Sequence, residues 1–408
     1  MTGDSLYYSW RQIDVTVRQG VVKIASKPGV SSCDAPDPAL LLLAEHIDLP
    51  GHSEVLHMNA GAGLAGAALA MTAGRARVIM TDRNLVNVLA ARQTVEANQL
   101  KNVEVHFSNG LCGLPSLEPA DCVAIRLPKG RLPVSQLLWD GFSALKAGGT
   151  CYLTGANREG IKPATELMRG IFGNATIVAY GGGHRIVRSE KKTSSPVDSS
   201  ALDAKWLDHR AFLEFSVEIA GHSVAVHSRP GVFAWDRFDD GTQLLVEHMR
   251  VAPDDAVLDL GCGNGIVGLM AATMAIHGNV VMVDSDAEAI RSATRSVEAN
   301  ALTNCAVLPS DAGSAVKTSS FDVVVTNPPF HVGRRAEFDI ARQFIQDAWE
   351  LLKPGGRFYL VANLRLPYEN TVRDCFGGFQ VECQERGYKV LSSVKHDKNV
   401  VPTRTGLV

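Results

Sequence analysis

Asn327, Pro328 and Pro329 form the part of the sequence with the clearest chemistry. They follow an apolar run at 321–325, whose mostly β-branched residues indicate a strand buried on both faces of a parallel sheet. Each proline fixes the backbone and removes an N–H donor, so pairing of the strand ends there. The side-chain oxygen of Asn327 and the carbonyl of Pro328 are therefore predicted at the carboxyl end of a strand, where α/β sheets bind ligands.

These two oxygens suit a planar amino group on a base or an amide. The nitrogen lone pair of such a group is delocalised, so the nitrogen becomes a useful nucleophile only when acceptors engage its hydrogens as it pyramidalises. Phe330 adds a flat apolar surface, and stacking of a base on such a surface is worth ~1–3 kcal/mol. An Asn-Pro turn accounts for the same residues structurally. Taken alone, these residues support both interpretations equally.

Two glycine-rich turns indicate nucleotide-type sites. Both have G-x-G-x-x-G spacing, and both are followed by a strand that ends in an acid, Asp82 or Asp284. Glycine lets the backbone turn tightly and lets a ligand approach, and the acid can accept hydrogen bonds from ribose hydroxyls. The glycines are Gly61, Gly63 and Gly66 in the first turn and Gly263, Gly265 and Gly268 in the second.

The second turn carries an additional acid. Asp259 stands two residues before Gly261, which gives D-x-G-x-G-x-G, and a carboxylate there suits a ligand with an ammonium group rather than a pyrophosphate. S-adenosylmethionine has an ammonium and a ribose, and Asp311 is placed to accept from its adenine amine. As single residues these acids also fit a helix-turn acid, a strand-end cap and a loop acid; together with Asn327 they favour a cofactor site. The predicted cofactor-binding residues are Asp259, Gly261, Gly263, Gly265, Asp284 and Asp311.

The order of these elements occurs twice in the chain. The offsets 257−55, 284−82 and 297−95 all equal 202, and residues 95–98 are identical to residues 297–300. The sequence therefore predicts two tandem copies of one α/β domain. A polar segment rich in Ser and Pro separates them, as in an exposed linker. The predicted domains are 1–188 and 204–408, with a linker at 189–203.

The first copy has lost the residues with the clearest chemistry. His57 and Asn59 replace the additional acid and the glycine that follows it, and Arg126-Leu127-Pro128-Lys129 replaces the proline motif. We infer that this copy kept the fold and lost catalysis, while its glycines and Asp82 leave cofactor binding open. Arg126, Lys129 and Arg131 are either phosphate contacts or ordinary surface charges.

Length and composition set the class of protein. A chain of 408 residues predicts two domains, and a net charge of −3 gives no signal for nucleic-acid binding. No apolar run approaches the ~20 residues of a membrane span, and residues 1–4 lack a signal-peptide pattern. The eight cysteines form no C-x-x-C pair, so we expect reduced thiols, no metal site and a cytoplasmic protein.

Motifs across nearly the whole chain resemble those of a known family, the ribosomal RNA guanine-N2 methyltransferases built from two fused class I methyltransferase domains. The small-subunit enzymes are the better match and their large-subunit paralogues the second. The segments that carry the resemblance are 231–233, 240–241, 259–265, 327–331 with Gly333, 361–363 and 366–368. It implies two Rossmann-like domains with mostly parallel sheets and a reversed terminal strand. It also implies S-adenosylmethionine in the second domain and a degenerate first domain that positions the substrate.

The implied reaction is methyl transfer to the exocyclic amine of a guanine in small-subunit (16S) ribosomal RNA. Such an amine lies inside a paired helix, so the base must be unstacked or already single-stranded. In this interpretation Asn327, Pro328 and Phe330 are catalytic: Phe330 stacks on the base, and the other two orient its amine. Candidate substrate contacts are Pro329, His331, Arg334 and Arg335. A packed histidine and a solvated helix start explain the last three without a substrate.

Other functions fit parts of the same pattern. A large-subunit guanine-N2 methyltransferase, a protein glutamine-amide methyltransferase or an adenine-amine methyltransferase would use the same acceptor geometry. An RNA-binding assembly factor would need no turnover, and the glycine turns alone also fit a dinucleotide oxidoreductase. Cytosine C5 methylation is disfavoured because no Pro-Cys pair occurs. The expected partner is ribosomal RNA or the small ribosomal subunit, with no membrane and with a monomeric protein.

Overall fold

The computed structural model describes residues 6–72, 76–115, 117–329 and 335–396, with only the backbone described at 335–337. The chain divides into two compact units, Met1–Ala211 and Phe212–Val408, called here the first and second unit. Each unit is an α/β domain that begins with an antiparallel hairpin and continues into a seven-stranded sheet.

The first unit alternates strands and helices after its hairpin. Its elements are β1 (Arg11–Val17), β2 (Gly20–Ser26), α1 (Pro38–His46), β3 (Glu54–Met58), α2 (Leu64–Thr72), β4 (Arg77–Asp82), α3 (Leu85–Ala97), β5 (Val103–Phe107), β6 (Ala120–Arg126), α4 (Arg131–Ala144), β7 (Leu145–Ala156), α5 (Ile161–Phe172), β8 (Thr176–Gly181), β9 (His184–Glu190) and α6 (Ala204–Leu207). The sheet order is β5-β4-β3-β6-β7-β9-β8. Strand β9 is antiparallel to both of its neighbours, whereas β3 to β7 pair in parallel.

The second unit repeats this order. Its elements are β10 (Leu213–Ile219), β11 (His222–Ser228), α7 (Asp240–His248), β12 (Ala256–Leu260), α8 (Ile266–Met274), β13 (Asn279–Asp284), α9 (Ala287–Ala299), β14 (Cys305–Pro309), β15 (Phe321–Thr326), α10 (Arg335–Leu351), β16 (Leu352–Asn363), α11 (Tyr368–Phe376), β17 (Gln380–Glu385) and β18 (Tyr388–Val394). The sheet order is β14-β13-β12-β15-β16-β18-β17, with β18 reversed. The predicted pair of mostly parallel sheets, each with a reversed terminal strand, is confirmed.

The central strands are buried on both faces, as their apolar sequences predict. In β15, Val323, Val324 and Val325 are all fully buried, and the strand pairs in parallel with β12 on one side and β16 on the other. Burial of successive residues requires cover above and below the sheet, because side chains alternate between its faces. The carboxyl end of β15 is thereby fixed in the middle of the sheet.

Matching asparagines anchor the hairpin of each unit to a helix. Asn98 accepts from the backbone N of Lys23 at 3.0 Å and donates to its carbonyl at 2.7 Å. Asn300 makes the same pair of bonds with Ala225, at 2.9 and 2.7 Å. Both pairs are separated by the offset of 202 residues (300−98 and 225−23). The duplication predicted from the sequence therefore extends to individual hydrogen bonds.

The segment predicted as a linker is attached to the first unit. Its first two residues end β9, and the backbone N–H groups of Val197 and Asp198 donate to carbonyls at the end of α5, at 3.1 and 2.8 Å. The division between the units falls after Ala211, later than the predicted 203/204 boundary. A polar composition indicates solvent exposure, but it does not reveal backbone hydrogen bonds of this kind.

Within the described ranges, no helix is both long enough and apolar enough to cross a membrane.

Candidate active site

Most of the predicted cofactor residues meet at the carboxyl edge of the second sheet. Strands β12, β13 and β15 are neighbours there, and hydrogen bonds join the loops that follow them. Gly261 N and Cys262 N donate to the carbonyl of Val283 at 2.9 and 3.0 Å. The hydroxyl of Thr326 donates to the carbonyl of Leu260 at 2.7 Å. The glycine turn, the acid that ends β13 and the proline motif after β15 are thus held side by side.

The glycine turn needs glycine for two different reasons. Gly261 has φ of +81°, and a Cβ atom there would lie 2.8 Å from Cε2 of Phe344, so a larger residue would clash. Gly263 has φ of +56°, and the nearest side-chain atom to a Cβ there would be Cγ1 of Val232 at 4.0 Å. The backbone at Gly263 therefore faces space that a ligand can enter.

Asp284 is half-buried and fixes the glycine turn. Its Oδ2 accepts from Gly263 N at 2.9 Å, and its Oδ1 accepts from Asp286 N at 2.9 Å. Burial raises the pKa of Asp284 to about 6, and the charge of Asp286 adds to this shift. An acceptor beside the open face of Gly263 is in the place expected for a ribose-binding acid, and this role stays a prediction.

Asp259 has a backbone partner that the sequence did not reveal. Its side chain is buried, and Oδ2 accepts from Gly268 N in the first turn of α8 at 2.8 Å. Burial raises the pKa of Asp259 to about 7, and the charge of Asp284 adds to it. This contact matches the helix-turn alternative. A nearby cation would offset the cost of burying the carboxylate. The predicted ammonium contact is therefore compatible with the bond from Gly268 N.

Asp311 lies in the loop after β14, next to the end of β13. The side chain is buried, and the preceding Ser310 donates its backbone N–H to the carbonyl of Asp284 at 2.9 Å. Asp347 in α10 holds the same loop by accepting from Gly313 N at 2.8 Å. The predicted adenine-side acid is thus brought to the same edge as the predicted ribose-side acid.

Asn327 is oriented by a residue that sequence reasoning missed as part of the site. Its Nδ2 donates to Thr242 Oγ1 at 3.0 Å, and Thr242 Oγ1 lies 3.2 Å from Oδ2 of Asp239. Asn327 is half-buried, Pro328 is buried and Pro329 is exposed. Thr242 lies 85 residues away from Asn327 in the chain. The sequence signal for this contact is an Asp before the helix start and Thr242 in its first turn, on either side of residues 240–241, which carry part of the family resemblance.

Part of the predicted substrate surface falls outside the described residues. Phe330, His331 and Arg334 lie in that stretch, and the side chain of Arg335 is likewise not described, although its backbone begins α10. The stacking role predicted for Phe330 and the contacts predicted for the other three stay predictions.

In the first unit, Arg126 takes the place of Asn327 at the end of the matching strand. Its Nε donates to Asp37 at 3.0 Å, and its Nη1 and Nη2 donate to Glu159 at 2.8 and 3.0 Å. Only 14% of the Arg126 side chain is exposed. The phosphate-contact interpretation of Arg126 is therefore corrected, because its guanidinium is already committed to two carboxylates. Arg131 donates to the carbonyl of Ala201 at 2.9 Å.

The rest of the first carboxyl edge is only partly preserved. Gly61 N still donates to Asp82 Oδ2 at 2.8 Å. However, Leu40 Cδ1 lies 3.3 Å from the position that a Cβ of Gly61 would take, so this side of the turn is closer to an apolar side chain than Gly263 is. Burial lowers the pKa of His57 to about 4, and within the described ranges neither ring nitrogen has a hydrogen-bond partner.

The fold and these sites define a class. Both units have the sheet order of class I methyltransferases, and the second unit combines the glycine turn, the strand-end acid and the oriented amide. In agreement, the family model described as "Methyltransferase small domain" matches residues 21–188 and 223–392.

Individual relatives narrow the class. A "Ribosomal RNA small subunit methyltransferase C" of Shewanella pealeana is 31% identical over 294 residues, covering 72% of this chain and 82% of that protein. A protein of the same name from Shewanella loihica is 27% identical over 361 residues, covering 88% and 99%. A solved structure of the T. thermophilus 16S rRNA N2 G1207 methyltransferase (RsmC) in complex with AdoMet and guanosine is 30% identical with a TM-score of 0.80, covering 96% of this chain and 99% of that one. The chain therefore belongs to the methyltransferase small domain family, among its RsmC-like 16S rRNA guanine-N2 methyltransferases with two such domains. The resemblance predicted from the sequence is confirmed.

Proposed function

We propose that the second unit transfers a methyl group from S-adenosylmethionine to the exocyclic N2 amine of a guanine in 16S ribosomal RNA. The observation that carries this proposal is the position of the Asn327 amide at the carboxyl edge, beside the glycine turn. Its Nδ2 donates a hydrogen bond to Oγ1 of Thr242. Its Oδ1 points to the other side of the amide group. The T. thermophilus relative, solved with AdoMet and guanosine, supports both the cofactor and the base.

The cofactor is assigned to the buried acids and the glycine turn. The open backbone face of Gly263 admits it, Asp284 accepts from the ribose hydroxyls, and Asp311 accepts from the adenine amine. Asp259, held by Gly268 N, neutralises the ammonium of the amino-acid end directly or through water. Gly261 and Gly265 shape the turn, since both have positive φ values, of +81° and +90°.

Catalysis in this proposal consists mainly of positioning. S-adenosylmethionine supplies an electrophilic methyl group on a sulfonium, so no strong base is required before attack. Asn327 Oδ1 and the Pro328 carbonyl accept the two amine hydrogens, which directs the nitrogen lone pair towards the methyl carbon. As the N–C bond forms, the C–S bond breaks and the sulfur takes its electron pair. The extra proton on the nitrogen then leaves to water.

The base reaches this edge unstacked, and the remaining predicted contacts hold it there. Phe330 stacks on the base, Pro329 packs beside it, and His331, Arg334 and Arg335 contact the RNA. The first unit keeps the fold without the acceptor pair, so we assign it to substrate positioning. The reaction takes place in the cytoplasm, where the small ribosomal subunit is found.

The test measures tritium transfer from labelled S-adenosylmethionine into small subunits, naked 16S RNA, large subunits and protein. Mass spectrometry then identifies the modified nucleotide. We expect N2-methylguanine in 16S RNA. The Asn327→Ala variant should lose at least ~10³-fold in rate, because both orientation and charge stabilisation are removed, while RNA binding persists. The matched control is Asn279→Ala, at an exposed position that starts β13, and it should behave as the wild type.

Three outcomes would contradict the proposal. Label in a protein glutamine would support the amide methyltransferase, and label in large-subunit RNA would support the paralogous activity. No transfer at all, together with retained RNA binding, would support an assembly factor.

A further inference from the structure

We infer that Thr242 is a positioning residue that sets the orientation of the Asn327 amide, with Asp239 as its anchor. This inference rests on the proposed function and adds residues that the proline motif does not contain. Thr242 and Asp239 are both buried, and they come from the first turn of α7 and the residue before it, not from the strand that carries Asn327.

The direction of the hydrogen bonds follows from the chemistry of the three groups. The carboxylate of Asp239 only accepts, so the Thr242 hydroxyl, whose oxygen lies 3.2 Å from Oδ2 of Asp239, donates its proton to it. The Thr242 oxygen is then an acceptor towards Asn327, and the amide group can satisfy it only with Nδ2, at 3.0 Å. A flipped amide would place Oδ1 against an oxygen whose proton is already donated elsewhere. The chain Asp239–Thr242–Asn327 therefore determines which side of the amide carries the acceptor.

The anchor itself is rigid. Asp239 is the N-cap of α7, and its Oδ2 also accepts from Thr242 N at 2.9 Å. A Cβ on Gly241 would lie 2.9 Å from the ring of Tyr388, so β18 packs closely over this turn. Because the hydroxyl is held by a helix cap that is itself packed against the sheet, the Asn327 amide has a fixed reference.

Helix capping alone does not explain Thr242. In the first unit, the residues at the same offset are Asp37 and Leu40 (239−37 and 242−40 both equal 202). Asp37 also caps α1, accepting from Ala39 N at 2.8 Å and from Leu40 N at 3.4 Å, without a hydroxyl three residues later. The strand-end residue of that unit is Arg126, which binds Asp37 directly. The hydroxyl thus occurs in the unit that has an amide to orient.

The experiment compares Thr242→Val, Thr242→Ser and Thr273→Val in the full chain. Thr273 is the matched control, since its hydroxyl donates to the carbonyl of Met270 at 2.8 Å near the C-terminal end of a different helix, α8. We expect Thr242→Val to lower kcat by about tenfold or more, since one oriented hydrogen bond to a catalytic group is lost. The KM for RNA and the Kd for S-adenosylmethionine should stay within about threefold of the wild-type values. Thr242→Ser should restore kcat, and the control should not change it.

A second readout does not depend on activity. In protein labelled with ¹⁵N at the asparagine side chains, the Asn327 NH₂ signals, assigned by their loss in Asn327→Asp, should shift and exchange faster with water in Thr242→Val but not in the control. Unchanged kcat and unchanged signals in Thr242→Val would overturn the inference while the proposed function stands. If the wild type methylates no guanine, the proposed function fails, and the amide signals still decide whether Thr242 orients Asn327.

Discussion

The carboxyl edges of the first and second sheets share their backbone framework but differ in the side chains that fill it. Gly61 N donates to Asp82 and Gly263 N to Asp284, at 2.8 and 2.9 Å. Burial raises the pKa of both acids to about 6. The glycine turn and its acid are therefore part of the inherited framework and do not by themselves identify the working site.

The decisive difference between the two edges lies at the carboxyl ends of the equivalent strands β6 and β15. Asp37 and Asp239 both cap the first helix of their unit, but Asp37 also binds a guanidinium, whereas Asp239 binds a hydroxyl that in turn holds an amide. In the first unit, Arg126 forms an ion-pair cluster at the position that would hold an acceptor. The comparison teaches that, after duplication, a cation such as Arg126 can pair with nearby carboxylates and occupy the position where the other copy has an acceptor.

A second difference concerns buried electrostatics. His57 and Asp259 occupy equivalent positions, and burial shifts their pKa values in opposite directions, to about 4 and about 7. In both cases burial disfavours the charged form. The two units should consequently respond to acid with opposite signs at this position.

Removing the guanidinium of Arg126 should change the stability of the first unit more than any other substitution considered below. Arg126→Ala leaves the carboxylate of Asp37, whose side chain is only 13% exposed, without its cation, and it also removes the partner of the more exposed Glu159, so we expect the first unit to lose about 3 kcal/mol of unfolding free energy. Urea titration read by hydrogen–deuterium exchange mass spectrometry separates the two units. Arg131→Ala is the control, because that side chain is exposed. Equal stability of Arg126→Ala and Arg131→Ala would show that the cluster does not stabilise the first unit.

The pH dependence of His57 should be the next largest effect. Its pKa falls from 6.5 to about 4 on folding, so the unfolded chain binds the proton more readily and stability is lost as the pH falls through 6.5 towards 4. Between about pH 7 and about pH 5, the wild type should lose about 2 kcal/mol relative to His57→Leu. The same exchange experiment measures this difference, with the exposed His52→Leu as control. A difference that does not change with pH would contradict the assigned pKa.

Asp259 should show the opposite sign in the second unit. Its pKa rises from 3.8 to about 7 on folding, so the folded state binds the proton more readily and stability is lost as the pH rises from 3.8 towards 7. Acidification over the same range should therefore stabilise the wild type relative to Asp259→Asn, by about 2 kcal/mol in the absence of cofactor. A loss of stability instead would show that the carboxylate already has a compensating cation.

Local patterns explain why much of the fold could be predicted. Strand 321–325, the glycine turns and the strand-end acids are short segments whose residue types determine their structure, and the offset of 202 residues showed that they recur. The position of Asp259 follows from the same kind of pattern, but its bond to Gly268 N does not, because nothing in a sequence shows which donor a buried carboxylate meets.

Contacts between distant segments explain why the rest could not be predicted. Arg126 and Asp37 are 89 residues apart, and Asn327 and Thr242 are 85 residues apart. As an isolated residue, Arg126 has the same appearance as a surface cation. A paired comparison of the copies carries the missing signal, since Leu40 and Arg126 in one correspond to Thr242 and Asn327 in the other.

Cofactor stoichiometry tests the central claim most directly. Calorimetric titration of the full chain with S-adenosylmethionine should give one site per chain; Asp284→Ala should abolish this binding, and Asp82→Ala should leave its Kd unchanged. The two variants remove equivalent acids from equivalent turns, so each serves as the control for the other. Two sites per chain would contradict the restriction of cofactor binding to the second unit. Loss of binding in Asp82→Ala with retention in Asp284→Ala would contradict the assignment of the working site to that unit.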